Sequence, residues 1–193
     1  MKLPMPLRSL FATLGLALAL PALAAPEVFA IDTEHTYPRF AYEHLGLSTQ
    51  ISRFNQTSGT VTLDLEARRA EVAVTIDMRS VDTGSTAFDK TIQEADLLDT
   101  ARFPTATYRS TEVVFDGDRP ARIEGLLTLR GVTRPVTLTV TSFKRIYHPL
   151  AKKDAIGANA TGSLKRSEFG AGKFVPLVGD EVTLSIALEA IKQ

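Results

Sequence analysis

The 193-residue chain has no cysteine, no tryptophan and only three histidines. Without a thiol there are no disulfides, no thiolate catalysis, no cysteine-ligated zinc and no iron–sulfur cluster. A lipid anchor on an N-terminal cysteine is excluded as well. Export is not excluded, because a chain of this size can build a sufficient core without disulfides. Neither sign of charge is in excess, with 22 basic against 22 acidic residues, so there is no electrostatic footprint for nucleic acid. The chain carries no Gly-x-Ser-x-Gly elbow, which removes the usual serine-hydrolase arrangement. Gly157, Gly162, Gly170 and Gly172 are too scattered to form a phosphate loop and read as tight bends and bulges.

Long apolar runs are equally scarce. The one present, Leu10 to Leu20, follows Lys2 and Arg8 and precedes Pro21 and the small-x-small tripeptide Ala22-Leu23-Ala24. A charged start, a short apolar middle and a small-residue exit predict a cleaved secretory signal peptide over residues 1–24. The run falls short of the ~20 residues that span a bilayer. The mature chain, residues 25–193, has the length of one domain.

What the mature chain has in abundance is alternation with period two. Phe40, Tyr42 and His44 share one face and Arg39 and Glu43 the other. Val61, Leu63 and Leu65 alternate with polar residues, as do Val72, Val74, Ile76 and Met78. The same holds for Ile123 to Leu129, Val136 to Val140 and Val182 to Leu188. Such strands bury one face and solvate the other. Ser58-Gly59, Asp116-Gly117-Asp118, Gly131 to Pro135 and Gly179-Asp180 read as reversals. From Ser85 to Asp99 the period changes. Phe88, Ile92, Ala95 and Leu98 fall on one helical face, with Ser85 or Thr86 as cap. Asp96 and Asp99 read as solvated carboxylates on its flank. Tyr147 to Ala155 reads as a surface loop. Roughly eight strands and one short amphipathic helix predict an all-β, eight-stranded antiparallel barrel, with a two-sheet sandwich as the alternative.

The chemistry available to this frame is narrow. His35 and His44 are an odd number of residues apart, so a regular strand points them to opposite faces and a shared metal would need a bulge. His44 reads either as a polar contact for a ligand or as a hydrogen-bonded histidine that fixes the strand end. Ala158, Ala160 and Gly162 form one row of small side chains. Such a row would leave volume unfilled inside a barrel, and an apolar void accepts an apolar guest. The residues alone lead to an exported barrel with room inside.

Several segments carry a resemblance beyond this. They are Ile31-Asp32-Thr33-Glu34-His35-Thr36 with Phe40, His44-Leu45-Gly46-Leu47-Ser48 and Phe54; Ser58-Gly59; Asp82-Thr83-Gly84 with Asp89, Ala95 to Asp99, Phe103-Pro104 and Ser110; Gly125 to Val136; and Gly157 and Ala160 with Arg166-Ser167-Glu168-Phe169-Gly170 and Gly179-Asp180-Glu181-Val182. In these the chain resembles the YceI-like family of periplasmic, polyisoprenoid-binding proteins with a lipocalin-like barrel. The resemblance implies an eight-stranded lipocalin-like β-barrel, a periplasmic location and a long apolar pocket for an isoprenoid tail, with the head group near the mouth. Many members carry Arg-Asp-x-His before the helix's apolar residues, where this chain reads Phe88-Asp89-Lys90-Thr91. Phe88 would then lengthen the apolar lining. The lining expected on this reading is Phe40, Tyr42, Val74, Ile76, Phe88, Ile92, Phe103, Tyr108, Leu127, Leu129 and Phe169, with His44 as the candidate polar contact. The expected function is to hold an isoprenoid-class lipid, a quinone or a polyprenyl tail, for transport, storage or sequestration, without catalysis. Beyond that apolar lipid ligand no cofactor, metal or nucleic acid is expected. Transient membrane contact and a homodimer stay open. A ligand-free structural or stress-response barrel and an enzyme on an apolar substrate are the rival readings.

Overall fold

The alternating segments form eleven strands, which a computed structural model of the chain describes together with everything else in residues 25–193. The signal-peptide expectation lies outside the described residues. In chain order the strands are β1 (Glu27–Ile31), β2 (Tyr37–His44), β3 (Ser48–Phe54), β4 (Thr57–Asp64), β5 (Arg69–Asp77), β6 (Val81–Asp82), β7 (Thr105–Asp116), β8 (Arg119–Leu129), β9 (Val132–His148), β10 (Lys153–Lys165) and β11 (Glu181–Lys192). Among the described residues a single α-helix, α1 (Thr86–Ile92), follows β6.

Eleven strands make eight staves because three of the staves are broken. β1 and β2 lie end to end along one edge of β11, with Ala30 opposite Ile191 and Pro38 opposite Ile186. β4 pairs with β1 and β3 with β2; in turn β5 pairs with β4 and β6 with β3. From β7 onward each strand pairs with the next, all antiparallel. The β1–β11 pairing closes the ring. The result is the expected eight-stranded antiparallel barrel, and closure leaves few unpaired strand edges. The sandwich alternative is discarded.

Some local expectations give way to tertiary demands. Ser58-Gly59 is not a reversal but lies inside β4. A Cβ on Gly59 would sit 2.0 Å from the Ala73 carbonyl oxygen, so the glycine serves a close approach between β4 and β5, at φ +143°. The helix stops at Ile92 rather than near Asp99, because the following amides fold back. Leu98 donates to the Ile92 carbonyl and Thr100 to that of Gln93. Ser85 is the cap, its hydroxyl accepting from Phe88 N. Asp99 is buried at 2 % exposure rather than solvated, with one carboxylate oxygen 3.3 Å from Arg102 Nη1. Between β9 and β10 the expected loop shrinks to residues 149–152.

The interior is packed in three apolar clusters. Phe29, Leu63 and Ala190 seal the end formed by the short turns at residues 65–68, 117–118 and 149–152. Met78 and Ile92 pack beneath α1, and Tyr108, Val136, Leu138 and Phe169 pack against the middle of the wall.

Candidate functional site

Between these clusters the barrel is hollow. A cavity of about 370 Å³ runs from Leu63, Ile156 and Phe143 at the sealed end to His44, Phe88 and Phe174 at the helix end. An apolar void of ~150 Å³ already accepts benzene, so this one has room for a branched hydrocarbon chain. Inward positions of the alternating strands supply the lining: Val61 and Leu63 from β4, Val72, Val74 and Ile76 from β5, Leu127 and Leu129 from β8, Leu184, Ile186 and Leu188 from β11. The small row on β10 contributes as expected at Ala158 and Ala160, which border the space. At Gly162 the space is filled, since Leu138 Cδ2 lies 2.9 Å from where a Cβ would stand.

Few polar groups border the cavity: Thr36 Oγ1 donates to the Glu189 carbonyl at 3.1 Å, while the buried Thr57 Oγ1 has no partner among the described residues. Tyr108 turns its ring to the cavity and its hydroxyl into the wall, donating to the Val136 carbonyl at 3.0 Å, with the Ile123 carbonyl oxygen also at 3.2 Å. Burial pushes its phenol up to about 12, so it stays neutral and acts as apolar lining. The ring is accommodated because residue 125 is glycine; a Cβ there would fall 2.5 Å from Tyr108 Cζ.

The mouth is at the helix end. Apart from Arg39, the exposed members of the lining are His44, Phe88, Thr91 and Phe174, all on that side. Two loops frame it. The β2–β3 turn carries Leu45 and Leu47, and the segment before β11 carries Phe174, Val175 and Leu177. Leu45 N donates to the Leu177 carbonyl at 3.0 Å and Gly179 N to that of Glu43 at 2.8 Å, so the loops are joined into one rim. That rim is apolar and exposed: Leu47 80%, Leu177 67%, Phe174 55% and Leu45 50%.

Ten of the twelve expected site residues border the cavity: Phe40, Tyr42, His44, Val74, Ile76, Phe88, Ile92, Tyr108, Leu127 and Leu129. Phe40 and Tyr42 stack with ring centroids 6.3 Å apart, and Phe54, absent from the expected lining, joins them at 5.4 Å from Phe40. Phe103 and Phe169 are corrections. Phe103 lies against Gly131, with the guanidinium groups of Arg102 and Arg130 over its ring. Phe169 is buried at 1 % exposure in the wall cluster and does not reach the cavity. Phe103 lies in a loop and Phe169 ends the short 3-10 helix Arg166–Phe169, and in neither does period-two patterning assign a face. His44 stands exposed at the mouth, bridged through its backbone to Val178. His35 is remote from His44, close to Asp32 and Glu189 outside the cavity. Its Nδ1 lies 2.8 Å from Asp32 Oδ2, and that hydrogen bond raises the pKa of the imidazole.

Arg166 was legible only as part of a motif. It follows β10, borders the cavity and is half-buried. Its Nε donates to the Gly179 carbonyl at 2.8 Å, Nη1 to the carbonyls of Ala171 and Lys173, and Nη2 to that of Val178 at 2.8 Å. The guanidinium therefore fastens the rim loop across the barrel end. Burial lowers its pKa, with the charge of Asp180 acting in the other direction. Tyr42 sits within reach of its charge, and burial raises the Tyr42 phenol.

Comparison with known proteins places this geometry. Residues 29–190 match the family model of the YceI-like domain. Protein YceI of Escherichia coli O6:H1 is 38% identical over 173 residues, covering 89% of this chain and 90% of that protein. Among solved structures, BcnA of Burkholderia cenocepacia superposes with a TM-score of 0.68 at 22% identity, over 83% of this chain and 99% of that one. A polyisoprenoid binding domain from Saccharophagus degradans, implicated in plant cell wall breakdown, superposes with a TM-score of 0.65 at 15% identity, over 86% and 98% of the two chains. These two structures share the barrel fold.

Proposed function

The chain belongs to the YceI-like family, and from that premise we propose that it is an exported protein that holds an isoprenoid-class lipid in its barrel. The observation that carries the reading is the cavity: about 370 Å³, lined along its depth mostly by aliphatic and aromatic side chains, with its exposed members, Arg39 apart, at one end. Burying a hydrocarbon there gains ~25 cal/mol for each Å² removed from water, before the cost of association. The solved polyisoprenoid binding domain of Saccharophagus degradans has the same fold, which supports this ligand class. Binding rather than turnover is the proposed activity, because the titratable group deepest in the cavity, Tyr108, is held neutral and committed to the wall. The apolar rim supports a periplasmic carrier that touches a membrane while its ligand passes the mouth.

Replacing Ile76 or Leu127 with Asp puts a charge on the lining and should abolish uptake of a long-chain polyprenol, followed by quenching of tyrosine fluorescence. Normal uptake by a folded variant would remove these residues from the site.

A further inference from the structure

At the sealed end β9 and β10 run past their neighbours. β8 pairs with β9 only as far as Thr139 and β11 with β10 only from Ala155 onward, whereas β9 and β10 stay paired out to His148 and Lys153. A two-stranded arm is left, and a ribbon of that kind has little stability of its own. Its base is fastened to the barrel: Phe143 borders the cavity, and Arg145 is paired with Glu27 at 2.5 Å and with Asp154 at 2.6 Å. Its turn is fixed as well. Lys152 N donates to the His148 carbonyl at 2.8 Å and Ala151 N to His148 Nδ1 at 3.0 Å.

This braced arm holds three large apolar side chains in the open: Leu150 is 88% exposed, Tyr147 65% and Ile146 53%. None of them borders the cavity or joins an interior cluster, so the fold does not require them. Lys144, Lys152 and Lys153 stand exposed around them, with no carboxylate partner among the described residues. The acids of this region are engaged or remote. Glu27 and Asp154 pair with Arg145, Glu27 also with Lys192, and Glu189 stands two strands from Lys144, across Gly157.

The charge says what covers the arm. A second copy would set like charges against each other. A folded acidic protein would need roughly 800 Å² on each side for a stable interface, more than the end of a narrow ribbon offers. A bilayer takes protruding side chains singly: aliphatic groups enter the head-group boundary, a tyrosine ring settles at that level, and lysines meet phosphates. We propose that the β9–β10 arm docks on an anionic phospholipid bilayer, Tyr147 and Leu150 entering the head-group region and the three lysines facing its phosphates. The mouth is at the other end of the barrel, so a barrel docked this way turns its opening away from that bilayer. The docking does not depend on what the cavity holds.

The test is co-sedimentation of the mature protein with vesicles of phosphatidylcholine, alone or mixed with phosphatidylglycerol. A basic residue near an anionic surface is worth roughly 5-fold. The wild type should favour the anionic vesicles by roughly 10-fold to 100-fold at low salt, less as salt rises. Lys152→Gln with Lys153→Gln should lower that preference roughly 10-fold. Tyr147→Ser with Leu150→Ser should weaken binding to the anionic vesicles roughly 5-fold or more. These four side chains are exposed and outside the cavity, so melting temperature and polyprenol affinity should stay at wild-type values. No preference for anionic vesicles, or a preference untouched by both arm variants, would overturn the docking. So would binding that survives in the arm variants but is lost in Leu47→Ser with Leu177→Ser, which would place the contact on the rim. An arm-dependent dimer, or an arm-dependent complex with an acidic protein, in place of vesicle binding would overturn it too. Failure of the wild type to bind polyprenol would bring down the ligand reading and leave the docking standing.

Discussion

Ala158→Phe separates a hollow barrel from a packed one by the sign of a stability change. Ala158 lies mid-way along β10, opposite Phe143 on one side and Leu188 on the other, and all three border the cavity. A phenyl ring needs about the ~150 Å³ that holds benzene, less than half of the 370 Å³ present. If the space is empty in the lipid-free protein, the ring buries roughly 100 Å² of new apolar surface. At ~25 cal/mol per Å² that is at most ~2.5 kcal/mol, and ~1–2 kcal/mol after allowing for a compact unfolded state and imperfect fit. For a domain of this length the melting temperature should rise by roughly 2–8 °C. The same ring blocks the lumen, so polyprenol binding should fall at least 10-fold. The assay is thermal unfolding of lipid-free protein, paired with equilibrium binding. In a tightly filled barrel the substitution would overpack the core and cost ~1–3 kcal/mol. A lower melting temperature, or unimpaired binding by the variant, would refute the reasoning.

Other perturbations address separate parts of the account. Gly125→Ala places a Cβ within 2.5 Å of Tyr108 Cζ and should expel the ring from its place between Ile123 and Val136, costing ~2–4 kcal/mol in denaturant unfolding; a loss below ~0.5 kcal/mol would show that the ring is not confined there. Glu27 is bonded to Arg145 and Lys192, and these hydrogen bonds, with Arg145 first, hold its carboxyl below the usual range. The stabilisation from Glu27 is therefore fully present above its unfolded pKa and fades as pH falls through the lower folded value. Glu27→Gln should remove up to ~1 kcal/mol at pH 7 and flatten that part of the acid-unfolding curve, whereas an unchanged curve would exclude the linkage. Leu47→Ser combined with Leu177→Ser should slow transfer of polyprenol from vesicles several-fold while leaving its affinity in solution intact; equal transfer rates would argue that the rim does not touch membrane.

The barrel was legible because its strands obey one rule, apolar inward and polar outward, and because a β-rich chain of this length favours closure. Three things escaped that rule. The breaks between β1 and β2, β3 and β4, and β5 and β6 leave no mark in periodicity, since each half-stave alternates normally. Ser58-Gly59 carries turn chemistry, yet the glycine answers to a neighbour 14 residues further along, Ala73. The helix pattern runs past Ile92, but the amides of Leu98 and Thr100 find acceptors that end it. In the candidate site, strand residues such as Val74, Ile76 and Leu127 could be assigned a face, and the structure puts them on the cavity. Residues outside the strands could not: Phe103 and Phe169 looked eligible by type alone, while Phe174 and the guanidinium of Arg166 reach the mouth only through the segment that folds across it.

The most direct test of the central claim is mass spectrometry of organic extracts from the mature protein, purified from its native host without detergent. An isoprenoid species in near-stoichiometric amount is predicted. An extract with no lipid above background would contradict the carrier reading and point to a barrel whose cavity serves no resident ligand.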